Sequence, residues 1–165
     1  MAERVCVCIV RVAIKKKMFR AVRDFLIRFA ASRPGFTPLR HCVVFDIDDT
    51  LIRTDDGTLI EPVHNLLNLA KRVGYRVVIL TARPGNSDNR CWTEMELKHH
   101  GIEYDAIRYT SMAGKSVFKN ELIKRGYNIV LSVGDQWTDL TDTREWLKLP
   151  SRYDPQLRTS IACHS

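Results

Sequence analysis

The sequence predicts an α/β fold, a three-layer α/β/α sandwich with a mainly parallel central sheet. Apolar runs typical of strands buried on both faces alternate with amphipathic stretches typical of helices. Two of these helical stretches end in Gly-Tyr directly before an apolar run, at Gly74 and Gly126. Glycine accepts the left-handed conformation that closes a helix before a tight turn into a strand. Both patterns favour parallel strands joined by helices.

The predicted elements follow one another from residue 42 onward. The predicted strands cover residues 42–47, 75–81, 106–109 and 128–133. One helix begins near Pro62, since proline suits a first helical turn, and ends at Gly74. A second runs to residue 100 and is capped by Asp88 or Asn89, and a third covers residues 116–125. Asp55-Asp56-Gly57 predicts a turn between two short strands.

Charge divides the chain into a basic segment and a nearly neutral body. Residues 1–40 contain ten Lys or Arg and two acids, a net charge of +8, whereas residues 41–165 contain 16 basic and 17 acidic side chains. A chain of 165 residues with 45% hydrophobic residues is expected to form one packed domain. We predict a basic amphipathic arm and linker at 1–40, the α/β domain at 41–150 and a C-terminal tail at 151–165.

The arm is predicted to contain an amphipathic basic helix. Its apolar residues at helical spacing are Met18, Val22, Phe25, Leu26 and Phe29. Three roles are open for residues 1–33: packing on the body or on a second copy in a homo-oligomer, contact with an anionic membrane, and salt-sensitive contact with nucleic acid. Residues 33–38, which include Pro34 and Gly35, are typical of a linker.

Composition argues against a membrane-spanning or secreted protein. No apolar run approaches the ~20 residues that a membrane span needs. The early apolar run precedes its basic residues, the reverse of the order in a signal peptide. The five cysteines include no CxxC pair, which favours reduced thiols. A cytoplasmic location is therefore expected, with peripheral membrane association left open.

Oxygen-bearing side chains follow three of the predicted strands. Asp46 and Asp48 end the first strand, Thr81 ends the second, and Asp135 and Asp139 follow the last. Ligands of parallel sheets bind beyond the carboxyl ends of the strands, so these side chains are expected to converge there. Clustered carboxylates favour a hard cation, and Mg²⁺ suits a site with few carboxylates, several waters and phosphate oxygens.

The same residues suit phosphoryl transfer. Asp46 and Asp48 are two apart on extended backbone and can point to one side, so one can act as nucleophile while the other transfers a proton. Thr81 supplies a hydroxyl, and Lys115 at a helix start a positive charge, for phosphoryl oxygens. Arg83 either reaches the substrate or pairs with an acid.

Four segments resemble, in order, the motifs of the haloacid dehalogenase (HAD) superfamily. They are DIDDT at 46–50, LTAR at 80–83, Lys115, and GDQWTD at 134–139. Within the superfamily, LTAR, GKSVFK and VGDQWTDL are most similar to the acid phosphatases of classes B and C (subfamily III) and their plant relatives. The resemblance spans about residues 41–142 and implies a Rossmann-like, HAD-like fold. An acid at the Asp48 position distinguishes its phosphatases from the dehalogenases, so the resemblance implies a phosphatase.

The resemblance also implies a role for each site residue. Asp46 would attack phosphorus and form an aspartyl-phosphate, while Asp48 would protonate the leaving group and then activate water. Mg²⁺ would be held by the Asp46 carboxylate, the Asp48 backbone carbonyl and Asp135. Asp139 would support the metal shell or Lys115.

Short intervals between the motifs indicate an open site. Segments 51–80 and 82–114 are only about thirty residues each, as in capless members of the superfamily. Capless members often act on macromolecules or use a partner chain to close the pocket. Three hypotheses follow: a Mg²⁺-dependent phosphomonoesterase, a polynucleotide end phosphatase, and a non-catalytic binding or storage protein of the kind found among plant relatives.

Four neighbouring residues are assigned structural roles. Asp49 is interpreted as a turn residue, and Trp137 as a packing residue rather than a substrate platform. Lys119, one helical turn after Lys115, is interpreted as a solvated lysine. His99 and His100 are adjacent and cannot share a helix face, which argues against a metal-binding pair of histidines.

Overall fold

The structure, a computed structural model, describes residues 2–32 and 40–151, with side chains described from residue 16 onward. Its strands are β1 His41–Phe45, β2 Arg76–Thr81, β3 Ala106–Tyr109, β4 Asn128–Gly134 and β5 Glu145–Lys148. Its helices are α1 Ala2–Ala31, α2 Glu61–Val73, α3 Ser87–His99 and α4 Gly114–Lys124. The five strands form one parallel sheet in the order β3-β2-β1-β4-β5. The predicted α/β class is confirmed.

Helices cover both faces of this sheet. Val43 and Phe45 point to one face and join a core with side chains of α1, α2 and α3. Cys42 and Val44 point to the other face, where Leu122 of α4 covers them. The chain builds outward from β1 to β3, then crosses back to form β4 and β5 on the other side of β1. The strand order therefore reverses between β1 and β4, the place where such sheets bind ligands.

The predicted boundaries agree with the observed ones to within about two residues. Gly74 (φ 102°) and Gly126 (φ 86°) both adopt the left-handed conformation that the sequence predicts for them. The predicted cap of α3 was wrong, because Asn86 accepts the hydrogen bond from the Asn89 backbone N–H and the helix begins at Ser87. Strand β5 was not predicted. It is four residues long with only Leu147 buried, too little for a recognisable apolar run.

The C-terminal half of α1 packs on the sheet. Leu26 is fully buried, and its carbonyl oxygen accepts a hydrogen bond of 2.8 Å from the Tyr75 hydroxyl. The Phe29 ring lies edge-on to His41, with a 5.6 Å centroid separation, and the Arg144 guanidinium covers it at 5.4 Å. This helix thus packs against residues at or just before the starts of β1, β2 and β5. The predicted linker at 33–38 and the tail after residue 151 lie outside the described residues.

Two further predictions from composition concern membranes and cysteines. Within the described residues, no helix combines the length and the apolar character needed to cross a bilayer. Cys42 and Cys91 are free thiols, and the other three cysteines lie outside the described side chains. Burial raises the pKa of the Cys42 thiol to about 12, so this cysteine is held as an inert neutral group.

Candidate active site

The ends of β1 and β4 deliver the central carboxylates. β1 ends at Phe45, so Asp46 stands directly beyond its carboxyl end, and Asp135 follows the last residue of β4. The chain turns sharply after Asp48, where Asp49 takes a positive φ of 52° and its backbone N–H donates to the Ile52 carbonyl. Asp49 is therefore the turn residue that the sequence predicts. The tight turn keeps both Asp46 and Asp48 at the sheet edge.

A buried lysine, Lys115, lies between the carboxylates of Asp46 and Asp139. Lys115 is in the first turn of α4, and its Nζ donates to Asp46 Oδ1 at 2.8 Å and to Asp139 Oδ1 at 2.5 Å. All three side chains are almost completely buried. Buried charges persist when they are paired and hydrogen-bonded, and this arrangement satisfies both conditions. Lys115 thus compensates part of the negative charge that Asp46 and Asp139 bring to the edge.

Three carboxylates are placed to hold a cation. Asp46, Asp135 and Asp139 each offer an oxygen, and these oxygens lie within 4.8 Å of one another. Burial raises the pKa of Asp46 to about 7, aided by the negative charges of Asp139 and Asp48 and opposed by Lys115. Burial likewise raises the pKa of Asp135. Three acids and one lysine leave a net charge that a divalent ion would neutralise, and hard oxygen donors suit Mg²⁺.

Asp48 is held from the other side by Arg83. The guanidinium donates from Nε to both Asp48 oxygens, at 3.1 and 3.0 Å, and from Nη2 to Oδ1 at 2.7 Å. Its Nη1 donates to Glu96 at 2.6 Å, and the Trp92 ring lies 4.9 Å from the guanidinium carbon. Of its two predicted roles, pairing with an acid is therefore present. The fork geometry fixes the orientation of the Asp48 carboxylate.

Asp46, Asp48 and Asp135 face a cavity of about 500 Å³. Its walls include Asp46, Asp48, Lys115 and Asp135, together with Asp49, Thr54, Ala82, Met112, Gln136 and Thr138. Thr81 lies at the same sheet edge but is fully buried and does not line this cavity. Its Oγ1 instead accepts a hydrogen bond of 3.1 Å from the Arg83 backbone N–H. The sequence thus predicted the correct sheet edge for Thr81, but the residue that lines the cavity there is its neighbour Ala82.

The loop after β4 depends on an unpredicted set of contacts. The Gln136 side chain donates to Asp135 Oδ2 at 2.8 Å and to Ser151 at 2.6 Å, while its backbone N–H donates to Asp139 Oδ2 at 3.0 Å. A Cβ added to Gly134 would lie 2.3 Å from the Asp139 Cβ, so only glycine lets Asp139 fold back over the strand. Gln136 carries no sequence signal beyond its position inside GDQWTD.

The prediction of a solvated Lys119 was wrong. This side chain is fully buried, and its Nζ donates to Ser132 Oγ at 3.0 Å and to the carbonyl oxygens of Asp139 and Thr141. Burial lowers the pKa of Lys119 to about 8. Lys119 lies one helical turn after Lys115 and therefore beneath the loop that follows β4. Its three N–H donors match the three acceptors that Ser132, Asp139 and Thr141 provide there.

A short hairpin borders the cavity. Ile52 pairs antiparallel with Leu59, and Gly57 turns the chain between them with a φ of 68°. The Arg53 backbone N–H donates to the Thr58 carbonyl at 2.8 Å, which closes the turn. The turn predicted at residues 55–57 is confirmed. It leaves Thr54 on the cavity wall, within a hairpin too short to cover the opening.

The aromatic residue of the last motif is exposed. The Trp137 ring contacts the Trp146 ring edge-on, with centroids 5.6 Å apart, yet its side chain remains 62% exposed. Its neighbours in the chain, Gln136 and Thr138, both line the cavity.

The adjacent histidines near the end of α3, His99 and His100, belong to no candidate metal cluster among the described residues.

Comparison with known proteins identifies a family. Residues 52–156, about two thirds of the chain, match the family described as HAD superfamily, subfamily IIIB (acid phosphatase). The match begins after Asp46 and Asp48 and includes the three later motifs.

Curated relatives include plant proteins. Vegetative storage protein 2 of Arabidopsis thaliana is 29% identical over 137 aligned positions, covering 60% of this chain and 49% of that protein. A stem 31 kDa glycoprotein of Glycine max is 31% identical over 78 positions, covering 41% of this chain and 26% of that protein. This chain therefore spans at most about half the length of these relatives.

A solved structure shares the fold. It is described as the Pnkp1/Rnl/Hen1 RNA repair complex, and the match has a TM-score of 0.53 at 21% identity, covering 71% of this chain and 44% of that one. At this identity the match establishes the fold alone. The family match, which includes three of the four motifs, establishes that this chain belongs to the HAD superfamily, in the acid phosphatase subfamily IIIB.

Proposed function

We propose that this chain is a Mg²⁺-dependent phosphomonoester hydrolase that works through an aspartyl-phosphate on Asp46. The observation that carries the proposal is the set of five charged groups at one sheet edge. Lys115 contacts both Asp46 and Asp139, Asp135 offers an oxygen within 4.8 Å of these carboxylates, and Asp48 lines the same cavity. Family membership supports a phosphatase in general terms.

The metal would be held by the carboxylates of Asp46 and Asp135 and by the Asp48 backbone carbonyl, with Asp139 supporting the site. When bound, Mg²⁺ neutralises negative charge and polarises phosphoryl oxygens. The raised pKa values of Asp46 and Asp135 support this assignment, because burial raises both, despite Lys115 beside Asp46 and the hydrogen bonds of Gln136 and Ser151 to Asp135.

In the first chemical step, an Asp46 oxygen attacks phosphorus and the bond from phosphorus to the leaving oxygen breaks. Asp48, as the acid, gives its proton to that oxygen. In the second step, the Asp48 carboxylate takes a proton from water, the water oxygen bonds to phosphorus, and the bond to Asp46 breaks. Arg83 keeps the Asp48 carboxylate oriented for both transfers.

Positive charge and hydroxyls are placed for the phosphoryl group. Lys115 lies on the cavity wall and supplies a compact cation for phosphoryl oxygens. Thr138 also lines the wall, and its buried hydroxyl has no hydrogen-bond partner among the described residues, so a phosphoryl oxygen bound against this wall would give it one. Thr81 would contribute by shaping the edge, since its buried hydroxyl accepts a hydrogen bond from the Arg83 backbone N–H and does not line the cavity.

The test is phosphate release from a panel of phosphomonoesters, measured with Mg²⁺ and with EDTA. We expect release only with Mg²⁺. Asp135→Asn is expected to raise the Mg²⁺ concentration for half-maximal activity by about tenfold or more, since a ligand is weakened. Asp88→Asn, on an exposed carboxylate of α3, is the matched control and should leave that concentration unchanged.

A folded, Mg²⁺-binding protein that releases phosphate from none of the esters would overturn the proposal. It would favour the third hypothesis from the sequence, a non-catalytic binding protein on this fold. Release that persists at full rate in EDTA would contradict the metal requirement while leaving phosphatase activity in place.

Metal binding is expected to release a proton at low pH. Because the pKa of Asp46 is raised to about 7, this carboxyl is mostly protonated at pH 6 in the metal-free protein, and it must ionise to bind a cation. Calorimetric titration with Mg²⁺, in buffers of different ionisation enthalpy, should detect proton release at pH 6 and little at pH 8.5. Asp46→Asn should remove the release at pH 6. Equal release at both pH values would contradict the prediction.

A further inference from the structure

We propose that Trp137, together with Trp146 and Lys148, forms a stacking platform for the bases of a single-stranded nucleic acid, whose phosphorylated end enters the catalytic cavity. The inference rests on the proposed phosphatase function, and it names the substrate class as polynucleotide ends. It requires that the platform lie next to the cavity, remain accessible, and carry the chemistry that recognises bases.

The platform lies beside the cavity by the geometry of the chain. Trp137 stands between Gln136 and Thr138, which both line the cavity. It is two residues from Asp135 and two from Asp139, and consecutive Cα atoms are about 3.8 Å apart, so its Cα lies within roughly 7.6 Å of each of theirs. A base attached to a nucleotide whose phosphate occupies the cavity is therefore within reach of the indole ring.

The aromatic surface is accessible. All three tryptophans of the chain are more than half exposed: Trp92 at 56%, Trp137 at 62% and Trp146 at 51%. Trp137 and Trp146 contact each other edge-on, and more than half of each side chain still remains exposed. The Lys148 Nζ lies 5.5 Å from the centroid of the Trp137 ring. Lys148 is the last residue of β5, so its backbone is part of the sheet. The two indoles thus contact each other while most of their surface remains open to solvent.

The combination of indole and lysine fits a single-stranded polynucleotide. Every base has a π-face, so stacking is tolerant of sequence, and neighbouring cations attract the phosphodiester backbone. The catalytic cavity is open and its hairpin border is short, so a chain can continue out of it. The net charge of +8 on residues 1–40 adds long-range attraction for a polyanion.

The first experiment measures binding in the Asp46→Asn background, which prevents turnover. The probes are a six-nucleotide oligothymidylate with a terminal phosphate, at the 3′ or the 5′ end, and a matched abasic phosphodiester with the same charge. We expect the oligothymidylate to bind at least about fivefold more tightly, from stacking of one base. Trp137→Ala should abolish this difference and Trp137→Phe should keep most of it. Ile123→Ala, an exposed apolar residue near the far end of α4, should have no effect.

The second experiment measures turnover in the otherwise wild-type protein. Trp137→Ala should raise KM for the phosphorylated oligonucleotide by about fivefold or more, while kcat/KM for p-nitrophenyl phosphate changes by less than about twofold. Circular dichroism and the melting temperature establish that each variant is folded. This split separates a binding platform from a residue that merely supports the loop of Asp139, whose loss would lower both activities.

Three results overturn the platform. They are equal binding of the two probes by the parent protein, a Trp137→Ala effect of equal size on both probes, and a change of oligomeric state in Trp137→Ala, which would mean that a second copy covers this surface. Hydrolysis of the small ester persists in all three cases, so the proposed phosphatase would stand. Conversely, absence of all hydrolysis would remove the phosphatase, whereas preferential binding of the base-containing probe would still be measurable.

Discussion

Asp46→Asn is expected to lower phosphate release by about 10⁴-fold or more, in a protein that stays folded. An amide nitrogen or oxygen is a far weaker nucleophile than a carboxylate oxygen, and the substitution preserves the size of the side chain. Burial also raises the pKa of Asp46 to about 7, so its ionised form is disfavoured in the folded state. Because the unfolded chain ionises this carboxyl near pH 3.8, it destabilises the folded state increasingly between pH 3.8 and about 7, and by the full amount above about 7. In the absence of Mg²⁺ at pH 8, the variant should therefore melt no lower than the parent.

The measurement pairs a phosphate assay with thermal melts at pH 5 and pH 8. Asp88→Asn serves as control, since it changes an exposed carboxylate of the same type. Trapping a phosphorylated form by mass spectrometry should succeed in the parent and fail in Asp46→Asn. Activity above about 1% of the parent in a contaminant-free sample would mean that another group is the nucleophile.

Lys115→Met is expected to affect both stability and activity. It removes a buried cation that contacts Asp46 and Asp139, and leaves their carboxylates uncompensated. Removing one partner of a buried ion pair typically costs about 3–5 kcal/mol. Because the positive charge of Lys115 holds the pKa of Asp46 down, its loss raises that pKa further. At pH 5 Asp46 is protonated in the folded state of both proteins, whereas at pH 8 the higher pKa of the variant adds a cost of ionisation, so the loss of stability should be larger at pH 8.

Denaturant unfolding of the metal-free protein at the two pH values measures this difference. Lys124→Met, on an exposed lysine at the other end of the same helix, is the control and should shift stability by less than about 0.5 kcal/mol. Added Mg²⁺ should restore part of the stability of Lys115→Met at pH 8. A loss of stability that is the same at pH 5 and pH 8 would show that packing, rather than charge, dominates the role of Lys115.

The sequence was most informative where one constraint decides the structure. Apolar runs buried on both faces predicted β1, β2 and β4, and glycines at helix ends predicted the turns at Gly74 and Gly126. The convergence of Asp46, Asp135 and Lys115 followed from parallel topology alone, because strands that run the same way bring their carboxyl ends to one edge. Their catalytic roles stay predictions.

What the sequence could not predict depends on contacts between distant segments. Lys119 has the composition of a surface residue, and only the loop carbonyls packed above it make burial favourable. Glu96 is far from Asp48 in the chain, and the two meet only through Arg83. The edge strand β5 is too short to show a pattern of its own, so its pairing with β4 decides its structure.

The position of α1 has a consequence for biosynthesis. This helix is synthesised before the other elements of the described chain, but the surfaces that bury Leu26 and Phe29 include Tyr75 and the segment around Arg144. Its apolar side must therefore wait until nearly the whole described chain has been made, a long interval for an exposed aromatic stripe. Contacts so far apart in sequence slow folding, because a large loop must close before they form.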